Sequence, residues 1–116
     1  MNNANDFFGA SNGSENFYRY SFTNFIYTDG VHLLAQDCKA YWLIDLIVSH
    51  QVNAVVQKEH FQVWDLKRVA NDSFIIVATD GNYNKVTSQQ IPFSDFPYDL
   101  ATLWLVDSCI MLPTEY

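Results

Sequence analysis

Asp29 and His32 stand three residues apart, with Cys38 six further on, and these are the residue types of a nucleophilic Cys-His-Asp relay. Helical spacing argues against that chemistry. Residues three and four apart share a helix face, and Cys38 falls over Leu34 and Ala35, on the side turned to the core. Asp29 then reads as a capping acid and His32 as a surface residue. His50, His60 and Asp45 are metal-ligand types, but a metal would have to gather them from separate positions, so they read as surface side chains. Cys38 and Cys109 form no C-x-x-C pair and have no His at ligand spacing, which makes them two buried thiols. No metal and no cofactor are expected. Asp95 with Asp99, or Asp29 with Asp45, would serve acid/base work only if the fold brought the carboxylates together.

Two glycine-containing segments also fall short of their motifs. Gly9 to Ser14 lacks the lysine and the preceding strand of a phosphate loop. Asp80-Gly81-Asn82 starts like a calcium loop, but the glycine is misplaced and no glutamate closes it, so it reads as a hairpin turn. Arg19 is the one Lys or Arg among the first 38 residues and lies amid Phe17, Tyr18, Tyr20 and Phe22. Its guanidinium is either a semi-buried anchor forked onto Asp29, Asp45 or Glu115, or a recognition group for an anion beside an aromatic wall.

The elements that must position these residues follow from periodicity. Val31, Leu34, Ala35 and Cys38 share one face behind a capping Thr28 or Asp29, which predicts a helix over about 29–38. Ala40, Leu43, Ile44, Ile47, Val48 and Gln51 share another, which predicts a longer helix over about 40–55, frayed by Val52, Val55 and Val56. Beyond His60 the period changes to two. Strands are expected over 61–70, 74–79 and 85–91, the last two joined by the Asp80-Gly81-Asn82 turn. Pro92 and Pro97 bracket a loop anchored by Phe93 and Phe96. Residues 99–112 read as two short strands with a tight turn, with a helix from Asp99 to Val106 as the alternative. Phe17 to Tyr27 is a short extended piece, and residues 1–16 a mobile lead-in. The expectation is one α+β domain over 17–116, with two N-terminal helices packed on one face of a four- to five-stranded antiparallel sheet.

Composition sets the outer bounds. The chain has 116 residues, 49% of them hydrophobic and 16% aromatic, enough for one ring-rich core and too apolar for a disordered chain. Its net charge of −7 opposes phosphate attraction and disfavours direct nucleic-acid binding. Asp95, Asp99, Asp107 and Glu115 follow Lys85 with no further base, as a solvated acidic face or a surface for a basic partner. No apolar run approaches the roughly 18 residues of a membrane span, and residues 1–16 carry no export signal, so a cytoplasmic protein is expected.

Several segments stand out jointly: Gly13 to Arg19, Tyr27-Thr28-Asp29-Gly30-Val31, Ala40 to Asp45, Phe61-Gln62-Val63-Trp64, Asp80-Gly81-Asn82, Asp95-Phe96-Pro97 and Leu112-Pro113-Thr114-Glu115-Tyr116. In these the chain is similar to an uncharacterised family of small bacterial proteins, some encoded on phages and other mobile elements. Members end in Leu-Pro-Ser/Thr-Glu-Tyr, and relatives often carry a helix-breaking glycine before the position of Ala40, which this chain lacks. The resemblance implies no established activity. The segments are mostly aromatic and acidic, which suits binding better than covalent catalysis. Arg19, Asp29, Tyr41, Trp42, Asp45, Trp64, Asp95 and Glu115 are the candidate binding residues, with Arg19, Asp29, Asp45 and Glu115 able to form one network. The leading expectation is a non-enzymatic module that binds a protein partner or itself through rings such as Trp64 and Trp104, unless those tryptophans are core. The alternatives are a small enzyme or ligand binder with a cleft near Arg19, Trp42 and Asp45, and an acidic inhibitor of a host nuclease or restriction system.

Overall fold

The computed structural model describes residues 2–8 and 16–116. In chain order they form α1 (Ala4–Phe8), β1 (Phe17–Arg19), β2 (Ile26–Thr28), α2 (Asp29–Asp37), α3 (Tyr41–Ser49), a 3₁₀ turn (His50–Val52) and α4 (Ala54–Gln57). The second half holds β3 (Phe61–Ala70), β4 (Ser73–Thr79), β5 (Lys85–Ile91), β6 (Leu100–Val106), β7 (Cys109–Met111) and a closing 3₁₀ turn (Pro113–Glu115).

Thr28 converts a strand directly into a helix. Its backbone is extended, and its hydroxyl accepts from the Val31 N–H at 3.4 Å, satisfying one of the free donors of the first turn of α2. Val31, Leu34 and Ala35 are buried on the face that spacing predicts. The break before α3 is sharp although glycine is missing there, because Lys39 itself adopts a left-handed backbone with φ 53°. The single helix expected over 40–55 is divided. Asn53 is extended and caps α4 by accepting from the Val55 N–H at 2.9 Å, so a local side-chain bond replaces the helical one.

The strands form one sheet in the order β1-β2-β7-β6-β3-β4-β5. Every pairing is antiparallel except β2 with β7. Between β6 and β7 the turn residues Asp107 and Ser108 have φ 47° and 71°, the paired positive values of a two-residue hairpin loop. Alternation assigns the two faces. Trp64 and Leu66 of β3, Phe74 and Ile76 of β4, and Leu103 of β6 are buried beneath Leu34, Leu43, Ile44 and Ile47. Each such side chain contributes about 1.5–3 kcal/mol by leaving water.

This architecture corrects the sequence expectation. Instead of two N-terminal helices on a four- to five-stranded antiparallel sheet, the described residues hold four helices, mostly short, and a seven-stranded mixed sheet whose first two strands precede α2. β1, β2 and β7 have three residues each, too few to display a period of two. The parallel β2–β7 pairing joins distant parts of the chain through a long crossover, so no turn signal announces it. Of the expected lead-in, residues 9–15 lie outside the described residues, whereas residues 2–8 dock on β6. Thr102 exchanges hydrogen bonds with the Asn5 amide at 2.6 and 2.8 Å, and Ala4 and Phe8 are buried.

Candidate functional site

Three features gather the residues singled out by the sequence. The first is a cleft of about 330 Å³ between the β1–β2 hairpin and α3, lined by Arg19, Tyr20, Ser21, Tyr27, Tyr41, Ile44 and Asp45. Asp45 and Tyr41 lie one turn apart on α3, which aims both at the hairpin. The Tyr20 hydroxyl donates to Asp45 Oδ1 at 2.6 Å. That bond, followed by loss of water contact, holds the Tyr20 phenol above its usual pKa. Loss of water contact is the main cause of the same upward shift at Tyr27, helped by Tyr41 and Asp45. These two phenols therefore stay protonated donors at neutral pH beside the Asp45 carboxylate, whereas alternation along β1 turns the Arg19 side chain to the opposite face of the sheet.

Behind the cleft the rings form a ladder. Tyr18 stacks on His32 at 4.1 Å and on Tyr27 at 5.5 Å, and Tyr41 Oη lies 3.3 Å from His32 Nδ1. Asp29 accepts from the Asn16 N–H at 3.1 Å, and the Tyr18 phenol is held above its usual pKa first by loss of water contact and then by the neighbouring Asp29 carboxylate. Cys38 shares none of this. Burial pushes its thiol up to about 11, so no thiolate is available beside His32.

The second feature is a clasp. Glu115 Oε1 accepts from the Thr28 hydroxyl at 2.6 Å and the Leu112 N–H at 2.9 Å, while Oε2 accepts from the Gly30 N–H at 3.1 Å. The carboxylate thus sits on the positive end of α2 and ties the C-terminal segment to it. A Cβ at Gly30 would lie 2.8 Å from both carboxylate oxygens and from Leu112 Cδ1, which explains the glycine.

The third feature is the outer face of the sheet, opposite the helices. Phe61, Val63, Val77 and Trp104 line a groove of about 450 Å³ with Asp65 and Lys67, and Tyr83 borders it. Phe61, Trp104 and Tyr116 form a ring triad with centroids 5.0, 5.5 and 5.8 Å apart.

The candidate residues divide among these places. Arg19, Tyr41 and Asp45 share the cleft, whereas Trp42 lies outside its lining and packs edge-on to Phe96. Glu115 belongs to the clasp, and Asp29, read from the sequence as a capping acid, is instead the first residue of α2, behind the capping Thr28, and accepts from the Asn16 N–H. Trp64 is fully buried and donates to Gln62 Oε1 at 2.9 Å, so it is core and offers no binding surface. Trp104 is half-buried on the outer face. Asp95 is exposed in the loop before β6 and lines neither hollow. The single network of Arg19, Asp29, Asp45 and Glu115 does not form: each acid has its own partner, and Arg19 joins no ion pair among the described residues. The anchoring arginine is Arg68. It donates to Asp99 at 2.8 Å and to the Phe96 and Asn71 carbonyls, and lies over the Phe74 ring. Sequence reasoning also passed over Tyr20 and Tyr27 of the cleft and Phe61 and Tyr116 of the triad, although each lies in or beside a segment that stood out.

The acids after Lys85 do not make one patch. Asp99 pairs with Arg68, Glu115 closes the clasp, and Asp107 lies 3.9 Å from His60. Among the described residues no group of three or more Cys, His, Asp or Glu converges as a metal site, and no helix is long and apolar enough to cross a membrane.

Fold and surface together define a small α+β domain with one sheet face packed under helices and the other left open with an apolar groove. The chain belongs to a family of unknown function (DUF6876), whose model matches residues 2–116. No curated protein and no solved structure matches it.

Proposed function

We propose that the protein is a non-enzymatic interaction module whose outer sheet face pairs with the same face of a second copy. The charge pattern of that face carries the reading. Copies of a chain with net charge −7 repel one another, so a face that meets itself must hold few acids or match them. Register and alternation leave only Asp65 and Lys67 as charges on the outward positions of β3, β4 and β6, with Lys85 beside Thr79 at the margin. Asp65 and Lys67 are neighbours on one side of one strand. A two-fold axis between them sets each Asp65 against the partner's Lys67 and stacks the Phe61, Val63, Val77 and Trp104 surfaces about 10 Å apart, as in sandwiched sheets.

The same pattern gives less support to an acidic inhibitor of a host nuclease, because this face opposes one acid with two bases. A cytoplasmic setting, in a bacterium or mobile element, is kept as part of the proposal. Its support is the free state of Cys38 and Cys109, which lie on opposite sides of the sheet. Light scattering over a concentration series tests the pairing. The expected mass approaches twice 13.4 kDa and falls on dilution, while Trp104→Ser stays at 13.4 kDa with an unchanged far-ultraviolet spectrum. A wild-type mass of 13.4 kDa at every concentration overturns the proposal.

A further inference from the structure

The helix-side cleft sets one carboxylate among phenol rings. Alternation places Tyr18 and Tyr27 on the face of the hairpin that meets the helices, and Tyr20, next on that face, continues the pairing through its N–H to the Phe25 carbonyl at 2.9 Å. Arg19 borders the cleft, but the same alternation carries its side chain to the outer face. Asp45 is therefore the charged side chain left to face the open volume, in a chain whose net charge of −7 already draws cations. Its Oδ1 accepts from the Tyr20 hydroxyl, which fixes the carboxylate, while Oδ2 has no hydrogen bond or ion pair among the described residues. The ring contacts of Tyr27 and Tyr41 are with Tyr18 and His32, and among the described residues none joins two of the three cleft phenols. Tyr20, Tyr27 and Tyr41 thus stand around the volume of about 330 Å³ with Ile44 beside them, a size at the lower end of small-molecule sites.

We infer that this cleft binds a small quaternary ammonium ion of the choline class, its charge against Asp45 and its methyl groups against the rings of Tyr20, Tyr27 and Tyr41. Ring faces attract a cation through their quadrupole, and the carboxylate supplies the counter-charge. A primary ammonium brings three N–H donors, and the carboxylate has only Oδ2 left to accept one. A quaternary ion has no donor to satisfy and gives up its water at smaller cost. An anion would meet Asp45 with no facing cation to offset it. The site is on the opposite side of the sheet from the proposed pairing face and does not depend on it.

Isothermal titration at constant ionic strength with choline, with ethanolamine as its primary-amine counterpart and with neohexyl alcohol as its uncharged carbon isostere tests the assignment. Choline is expected to saturate in the millimolar range or below, with ethanolamine and neohexyl alcohol each about tenfold or more weaker. Asp45→Asn keeps an acceptor for the Tyr20 hydroxyl and should bring choline down to the affinity of neohexyl alcohol while leaving neohexyl alcohol itself unchanged. Tyr41→Leu keeps apolar surface without a ring face and should weaken choline, whereas Tyr41→Phe keeps the ring and should bind choline like the wild type. Both positions are exposed, so a far-ultraviolet spectrum like that of the wild type is expected for each variant. The inference is overturned if choline does not saturate in the millimolar range, if ethanolamine or neohexyl alcohol binds as tightly as choline, or if either Asp45→Asn or Tyr41→Leu binds choline like the wild type.

Discussion

Gly30→Ala is expected to destabilise the wild type and to lose that effect once Glu115 is gone. The geometry sets the magnitude. Glu115 accepts hydrogen bonds from the Thr28 hydroxyl and the Gly30 and Leu112 amides. Bonds to a charged group contribute about 1.5–3 kcal/mol each when isolated. The half-buried site and the side-chain entropy regained reduce the total for Glu115→Ala to about 2–4 kcal/mol. Gly30→Ala brings two opposed effects. Alanine is better than glycine inside a helix by about 0.5–1 kcal/mol. Against this, its methyl carbon meets both carboxylate oxygens at 2.8 Å and must displace them. The net cost in the wild type is about 1–3 kcal/mol, since moving the carboxylate forfeits most of its bonds. In a Glu115→Ala background only the Leu112 methyl stands in the way, so Gly30→Ala should cost close to nothing. Urea unfolding followed by tryptophan fluorescence measures all four proteins, and a coupling of about 1–3 kcal/mol is expected. Strictly additive losses, or stabilisation of the wild type by Gly30→Ala, would refute the clasp.

Thiol titration at mildly alkaline pH should modify Cys109 slowly and Cys38 only after unfolding, because burial holds the Cys38 thiol up at about 11. Cys109 lies on the outer face, where the proposed pairing would cover it, so with that pairing Trp104→Ser should speed its reaction. Asp99→Asn should lower the Tm at neutral pH, since the Asn2 N–H, followed by Arg68, holds the Asp99 pKa below its ordinary 3.8 in the fold. A depressed folded pKa adds stability above the unfolded value that is lost as pH falls through the folded one, so the Tm difference should close at pH values below 3.8. Lys39→Gly should stabilise by about 0.5 kcal/mol in denaturant unfolding, the left-handed strain relieved being partly offset by a freer unfolded chain.

How far the sequence revealed this molecule depended on the range over which each signal acts. β3 is legible over 61–70 because ten residues display a period of two clearly, and α2 because its cap and apolar face are local. The hairpin of β6 and β7 is legible in its central polar Asp107-Ser108 pair, but its joining to β2 is a long-range event that no neighbouring residue encodes. Arg19 looked like the anchor because rings flank it in sequence. Arg68 has that role because the register of β3 brings it to Asp99 and the Phe96 carbonyl across two turns. The cleft was legible in Arg19 and Asp45, which both line it, but not in Trp42, whose position on α3 turns it toward Phe96. Glu115 was recognisable as part of a terminal landmark, yet its partner Gly30 lies 85 residues away and was identified only by the fold.

The pairing of the outer face with itself is tested most directly by sedimentation of Asp65→Lys, Lys67→Asp and the double exchange. In a two-fold pair each single reversal sets like charges against each other, and the double exchange restores opposite ones. The account predicts dimeric wild type, single variants shifted toward the 13.4 kDa monomer, and a double variant that regains the dimer. A double variant as dissociated as the singles, or singles as dimeric as the wild type, would contradict it.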